Sequence, residues 1–196
     1  MTFTLESLIR DVFALLGESS GLPRADSAVD IPDPRDIVGR MVACMLPRVG
    51  SRIIREATPA MLCGAEPVGV EVHKHLAQCG LHAADIALPA GFLRLVSVKM
   101  GEWKREVCRV FSPGDQEWDR QWSEEPGIAG SPQCPQAYLS HCSDGGILRL
   151  IGSVGADDTL EWFRCCMVPV PDEDGVFSFP PHLYGELVEA VAVNIR

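Results

Sequence analysis

The residue types that most often do chemistry cluster once in this sequence, between positions 73 and 82. His73, His75, Cys79 and His82 carry side chains of the kinds that bind Zn²⁺. On a β-strand, His73 and His75 would lie on the same face. The spacing matches no zinc motif, because neither a paired CxxC nor a helical HExxH occurs. An exposed, polar strand edge is therefore favoured over a metal site, and no metal or other cofactor is predicted.

Nucleophilic and acidic side chains show no catalytic arrangement either. The sequence contains no GxSxG motif and no glycine-rich phosphate loop. Cys108 has Arg105 and Arg109 near it in sequence, but in a strand residues one and three positions away point to the opposite face. The acidic runs at 157–158 and 172–174 fall in predicted turns, where carboxylates are common. No enzyme activity is predicted, and a small metal-dependent or thiol enzyme stays as a less favoured alternative.

The elements that must position these residues begin and end with helices. Residues 4–16 are predicted to form a helix, with Thr4 as its N-cap and Gly17 as its C-terminal stop. Residues 181–195 are predicted to form the last helix. This helix has an apolar face but no capping signal, which favours a helix that a neighbouring chain completes.

A second predicted helix begins at Asp33, has Pro34 in its first position and runs to about residue 57. Pro47 predicts either a kink or a division into two shorter helices. Arginines occupy the face opposite the apolar stripe. A phosphate-binding role is one interpretation, and a solvated or salt-bridged face is favoured because the chain is acidic. These arginines are Arg40, Arg48, Arg52 and Arg55.

Alternating apolar and polar residues between the helices predict five or six strands joined by antiparallel hairpins. The clearest hairpin pairs residues 93–100 with 103–111 around the turn Gly101-Glu102. A second hairpin pairs residues 136–142 with 147–151. Other strands are predicted at 68–78, from 86 onward, and at 159–168.

A polar segment between the two hairpins carries paired tryptophans. Residues 115–124 are predicted to form a short helix that places Trp118 and Trp122 on one face. Two tryptophans on one face are typical of a helix that docks on a sheet. The alternative is a partner-binding segment that folds on assembly.

These elements predict an α+β fold, in which helices from both chain ends form a helical layer and an antiparallel β-lobe of five or six strands is inserted between them. The expected organisation is one domain over 1–196. Its helical part covers 4–57 and 181–195, and its β-lobe covers about 68–170.

Composition limits the possible functions. The chain has 196 residues, with 17 basic and 27 acidic side chains and a net charge of −10. This charge argues against a basic surface that binds nucleic acid. The start of the chain lacks the features of a secretory signal, and no apolar run reaches the ~18 residues of a membrane helix. The eight irregularly spaced cysteines are expected to be reduced thiols, so a soluble, cytosol-type protein without membrane contact is predicted.

Five stretches together resemble the head–tail connector proteins of tailed bacteriophages, which are also called adaptor or head-completion proteins. The resemblance spans nearly the whole chain and consists of structural patterns: helices from both ends, an entry strand, a tryptophan-containing hairpin and a late strand. The stretches are TLESLIRDVFALLG, DIVGRMVACMLPRVGSRIIREA, LPAGFLRLVSVKMGEWKREV, GSPQCPQAYLSHCSDGGILRL and FPPHLYGELVEAVAVNIR.

The resemblance implies a structural virion protein of a phage or prophage, assembled in the bacterial host cytoplasm. Copies would form a ring of about twelve subunits that docks on the portal protein and extends the DNA channel. Tail or stopper proteins would bind the ring, and DNA would pass without sequence-specific binding. The alternative is another structural or interaction protein of a phage or mobile element. The residues predicted for the oligomer or portal interface are Trp118, Trp122, Leu183, Tyr184, Leu187, Val191 and Ile195.

Overall fold

The computed structural model of the chain has a mixed α/β fold with three α-helices and several sheets in the part that it describes. Its helices are α1 (Leu5–Leu16), α2 (Pro34–Glu56) and α3 (Tyr184–Ile195). Its strands are β1 (Thr2–Thr4), β2 (Val72–Leu76), β3 (His82–Ala87), β4 (Phe92–Met100), β5 (Val110–Phe111), β6 (Gln136–Cys142), β7 (Gly145–Ile151), β8 (Leu160–Met167) and β9 (Val176–Ser178). The described residues are 1–17, 33–76, 82–123, 125, 128, 130–142, 145–152, 155 and 157–195.

The chain divides into two compact units. One unit, called the helical unit here, contains Met1–Gly64 and Cys166–Arg196. The other, called the β-unit, contains Ala65–Cys165. The helical unit thus combines the two ends of the chain, and the β-unit is inserted between them in sequence. The expectation of a single domain over the whole chain stays a prediction.

The helical unit joins α1, α2 and α3 in one hydrophobic core, and a short sheet pairs β1 with β9. α1 begins where the Ser7 backbone N–H donates to Thr4 Oγ1 at 3.1 Å, and it ends at Gly17 in the left-handed conformation, with φ of 75°. These are the predicted start and stop. The core residues include Leu8, Val12, Val42, Leu46, Ile53, Ile54, Leu187 and Val191.

α2 continues through Pro47 as one helix of 23 residues, so it does not divide. Proline has no backbone N–H and therefore cannot donate the helical hydrogen bond at its own position. The hydroxyl of Ser51, one turn after Pro47, donates a hydrogen bond to the Pro47 carbonyl. Pro34 at the first helical position and the Asp33 carboxylate, which accepts the Arg35 N–H at 2.9 Å, start the helix as predicted.

The β-unit contains a five-stranded sheet of order β2-β3-β7-β6-β5, and β4 pairs separately with β8. The hairpin of β6 and β7 has the predicted antiparallel pairing, from Gln136 opposite Ile151 to Cys142 opposite Gly145. Its turn residues 143 and 144 lie outside the described residues. β5 pairs with β6 in parallel, so the expectation of antiparallel pairing throughout is wrong at this edge.

The predicted return strand at 103–111 is wrong over most of its length. Only Val107 forms a bridge with β4, through Val98, before the short strand β5 begins. Trp103 is instead buried, with its indole Nε1–H donating to the Gly152 carbonyl at 3.1 Å. The backbone N–H of Gly101 donates to the Thr159 carbonyl at 2.9 Å. The turn at 101–102 is therefore hydrogen-bonded to the residue that precedes β8, and no long return strand follows it.

Three other elements are shorter than predicted. The helix expected at 115–124 is a 3₁₀ segment at Trp118–Trp122. The strand expected at 68–78 is observed at Val72–Leu76, and residues 77 and 78 lie outside the described part. The last helix begins with a 3₁₀ turn at Pro181–Leu183 before α3. Residues 18–32, between α1 and α2, lie outside the described residues.

Candidate functional site

The apolar face of α3 lies in the core of the helical unit. Leu183, Leu187 and Val191 have relative exposures of 1%, 0% and 0%. α1 and α2 of the same chain pack against this helix. Within a single chain the apolar surface of these three side chains is already covered by its own helices. Their role in an oligomer or portal interface stays a prediction. Ile195, at the end of the helix, is half-buried.

Tyr184 joins the start of α3 to the other end of the chain. Its ring stacks on Phe3 with centroids 4.2 Å apart, and its hydroxyl donates to Asp11 Oδ2 at 2.9 Å. Burial raises the pKa of the Tyr184 hydroxyl. A hydrogen bond with Ser7 opposes this rise, and the hydrogen bond to the Asp11 carboxylate adds to it. Tyr184 therefore contributes to the packing of the helical unit, and it is only half-buried.

The two predicted tryptophans have different environments. Trp118 packs edge-on against Tyr138, with ring centroids 5.9 Å apart, beside a cluster of buried residues that includes Ala83 and Ile151. Trp122 is 41% exposed. Trp118 therefore docks the segment on the sheet, as the favoured interpretation predicted, while Trp122 presents an aromatic surface.

A polar group lies beside Trp122. The guanidinium carbon of Arg149 is 5.7 Å from the Trp122 ring centroid. Arg149 also donates two hydrogen bonds to Asp85, at 3.0 and 3.2 Å. His75 Nε2 is 3.8 Å from Asp85 Oδ2. We call Trp122, Arg149, Asp85 and His75 the tryptophan surface; exposed tryptophan next to a fixed arginine is a common composition in protein interfaces.

The predicted His and Cys cluster is only partly described. His73 is an exposed residue on β2, with its Nε2 3.8 Å from Glu71. His82, on β3, pairs with Leu76 across the strands, and Cys79 lies outside the described residues. Among the residues whose positions are described, no group of three or more His, Cys, Asp and Glu side chains could hold a metal ion.

A second candidate site lies on the helical unit. Arg48, Arg52 and Arg55 follow each other along α2 at spacings of four and three residues, which places them on one helix face. They line a cavity of about 370 Å³, which we call the arginine groove. Val49, Glu56 and Asn194 complete its lining.

The charge of the arginine groove is opposite to that of the chain. Three guanidinium groups and one carboxylate line it, whereas the whole chain has a net charge of −10. Arg48 and Arg52 are exposed, and within the described ranges neither has a carboxylate within 4.0 Å. Guanidinium groups bind carboxylates and phosphates through paired hydrogen bonds, so the groove fits an anionic ligand.

No protein-family model matches this chain, and no curated protein matches its sequence. Within the described part, no helix has the length and apolar composition that crossing a membrane requires. The arginine groove and the tryptophan surface are the two candidate binding surfaces among the described residues.

Sequence reasoning identified parts of these sites and missed others. It found the arginine face of α2 and Trp122, but it did not place Asn194 beside the arginines or connect Asp85 with Arg149. A signal for the last pair exists, because each is a single charged residue within an apolar stretch, ADIAL and ILRLI. Isolated opposite charges on two strands predict a cross-strand ion pair.

Proposed function

We propose that this protein is a structural subunit of the head–tail connector of a tailed bacteriophage or prophage. About twelve copies form a ring that docks on the portal protein, extends the DNA channel and provides the attachment site for tail or stopper proteins. The protein acts in the virion and is assembled in the cytoplasm of the bacterial host.

The single observation that carries this proposal is the construction of the helical unit from both chain ends, with the β-unit inserted between them. This is the segment order by which the sequence resembles connector proteins. A ring subunit needs separate surfaces for its neighbours, the portal and the tail. The arginine groove on one unit and the tryptophan surface on the other supply two such surfaces.

The charge of the chain suits a channel for DNA. Each copy has a net charge of −10, so a ring of many copies would repel the phosphate backbone if carboxylates line its channel. DNA would then pass through the ring without binding to it. A positive channel wall would instead retain DNA by releasing counterions.

The test is assembly with the portal protein encoded nearest to this chain in its genome. We expect native mass spectrometry and negative-stain images of the co-expressed proteins to show a ring of about twelve copies on the portal. The chain mixed with an unrelated ring protein of similar size and charge serves as the control. A chain that stays monomeric at all concentrations and ignores the portal contradicts the proposal.

The same experiment separates the nearest alternative. If the chain binds another structural protein from the same genome in a fixed stoichiometry, but never the portal, it is a phage or mobile-element interaction protein of a different type. Pull-down with the portal, the capsid protein and the tail proteins, each tested separately, distinguishes the two.

A further inference from the structure

The helical unit carries an acidic feature in addition to the arginine groove. Asp172, Glu173 and Asp174 are consecutive exposed residues that lead into β9. We call them the acidic turn. The turn and the groove have opposite charges and both belong to the same unit, which raises the question of whether one copy presents its turn to the groove of another.

The acidic turn is held in one conformation by its own hydrogen bonds. Asp172 Oδ1 accepts the backbone N–H groups of Asp174 and Val176, at 3.0 and 2.7 Å. Gly175 adopts the left-handed conformation, with φ of 74°, and its carbonyl accepts the Leu5 N–H at 2.7 Å. Asp172 thus fixes the turn, and Glu173 and Asp174 stay exposed. A preorganised turn loses little conformational entropy on binding.

Residues that flank the acidic turn pack on the face of α2 opposite the groove. Gly50 faces the stem of the acidic turn, because a Cβ atom at this position would be 2.5 Å from Pro169 Cγ and 3.2 Å from Phe179 Cε2. Arg48 and Arg52 are two positions before and after Gly50. At 3.6 residues per turn, each points about 160° away from it. The residues on both sides of the acidic turn therefore pack on the side of α2 away from the groove of the same chain.

Charge complementarity favours a second copy as the occupant of the groove. The exposed guanidinium groups of the groove include those of Arg48 and Arg52, and the exposed carboxylates of the turn include those of Glu173 and Asp174. Bidentate pairing of guanidinium with carboxylate is among the strongest polar contacts in proteins. A nucleic acid is less suited, because the net charge of −10 on the whole chain repels phosphate.

An exposed valine is close in sequence to each of the two features. Val193, which precedes Asn194 of the groove, is 69% exposed, and Val170, near the acidic turn, is 60% exposed. Apolar side chains around a polar centre strengthen its hydrogen bonds by lowering the local dielectric constant.

From these observations we infer that the arginine groove of one copy binds the acidic turn of the next, in a head-to-tail contact. The inference rests on the proposed function, since it names the contact by which the ring would form. A contact between two different surfaces of identical chains closes into a ring when the rotation between neighbours permits it. The contact is electrostatic, so it weakens as salt concentration rises.

Charge reversal of each half tests the contact. The groove variant is Arg48→Glu with Arg52→Glu, and the turn variant is Glu173→Lys with Asp174→Lys; Asp172 stays unchanged because it holds the turn. We expect the dissociation constant for self-assembly on the portal, measured by analytical ultracentrifugation, to rise about tenfold or more for each variant alone. Circular dichroism and thermal melting check that both variants remain folded.

The decisive measurement is the equimolar mixture of the two variants. A reversed groove then meets a reversed turn, and a native groove meets a native turn, so assembly returns to within about threefold of the wild type. The chain that carries all four substitutions should assemble alone for the same reason. Matched controls with equal charge changes are Arg35→Glu with Arg40→Glu, and Glu186→Lys with Glu189→Lys, and they should assemble like the wild type.

Three results overturn the inference, and they separate it from the proposed function. If wild-type rings form and both variants assemble equally well, the contact is wrong while the connector function stands. If the wild type never assembles with the portal, both fail. If the groove variant assembles normally but loses binding to a double-stranded DNA fragment or to inorganic phosphate, the groove is a phosphate site.

Discussion

Asp85 and Arg149 lie directly opposite each other on β3 and β7, where two hydrogen bonds of 3.0 and 3.2 Å join their side chains. Their side chains are only 22% and 27% exposed. The hydrogen bonds between them therefore replace hydrogen bonds to water that both charged groups lose on burial. The guanidinium carbon of Arg149 lies 5.7 Å from the centroid of the exposed Trp122 ring. The pair therefore joins the strands β3 and β7 to the tryptophan surface.

Removing either member of this pair should destabilise the β-unit. We expect Asp85→Asn and Arg149→Gln each to lower the free energy of unfolding by about 1–3 kcal/mol, because the remaining charge stays partly buried without its partner. Urea unfolding measures both. The double variant should lose less than the sum, and a sum that is fully additive would contradict the pairing. Arg10→Gln is the control, because its ion pair with Asp11 is exposed and should change stability by no more than about 0.5 kcal/mol.

The two tryptophans provide a matched comparison of packing and binding. Trp118→Ala should lower the free energy of unfolding by about 3–5 kcal/mol, because this side chain packs against Tyr138 and the buried cluster around it. Trp122→Ala should cost less than about 1 kcal/mol, because the ring is largely on the surface. Thermal melting and urea unfolding of the free chain distinguish the two variants.

The same pair tests whether the tryptophan surface binds a partner. If it does, Trp122→Ala should weaken assembly with the portal or with tail proteins by about tenfold or more, while the isolated chain stays folded. Unchanged assembly of the Trp122→Ala variant would remove Trp122 from the list of interface residues.

The interior position of α3 leads to a further comparison. Leu187 is fully buried and Val193 is 69% exposed on the same helix. Leu187→Ala should lower the free energy of unfolding of the free chain by about 2–5 kcal/mol. Val193→Ala should change it by less than about 0.5 kcal/mol. If Leu187→Ala left the stability of the isolated chain unchanged and affected only assembly, the assignment of this residue to the core would be wrong.

Local signals predicted the elements whose hydrogen bonds are local. The Thr4 cap and the Gly17 stop are both within one turn of the helix that they bound, and α1 has the predicted limits. The hairpin of β6 and β7 follows from two short alternating runs and their turn. In both cases the interactions that decide the structure are between residues close in sequence.

The errors arise where distant residues decide the structure. The pattern of residues 103–111 predicts a return strand. In the structure the Trp103 indole instead donates to the carbonyl of Gly152, which is distant in sequence. β4 then pairs with β8, which follows much later in the chain. Likewise, helical spacing places Trp118 and Trp122 together, and only the position of Tyr138 shows which one is covered.

The candidate sites likewise combine residues that are close in sequence with residues that only the fold brings together. The row Arg48, Arg52 and Arg55 is visible from helical spacing alone, since all three belong to α2. Asn194 joins them only because α3 packs beside α2. The apolar stripe of α3 correctly indicated burial, but periodicity cannot tell whether the covering surface belongs to the same chain or to a neighbour.

Tyr184 gives a test of the helical unit at alkaline pH. Burial raises the pKa of its hydroxyl above the ordinary value of about 10. The hydrogen bond to Asp11 adds to this rise, against the opposing effect of a hydrogen bond with Ser7. Between the unfolded and the folded pKa, the folded state binds more protons, so stability falls as pH rises. The stabilisation by the neutral hydroxyl is thus complete below pH 10 and is lost as pH rises through the folded pKa.

We expect Tyr184→Phe to be less stable than the wild type by about 0.5–1.5 kcal/mol at pH 7. This difference should shrink above about pH 10, as urea unfolding at a series of pH values would show, and a difference that stayed constant to the alkaline limit would contradict the assignment.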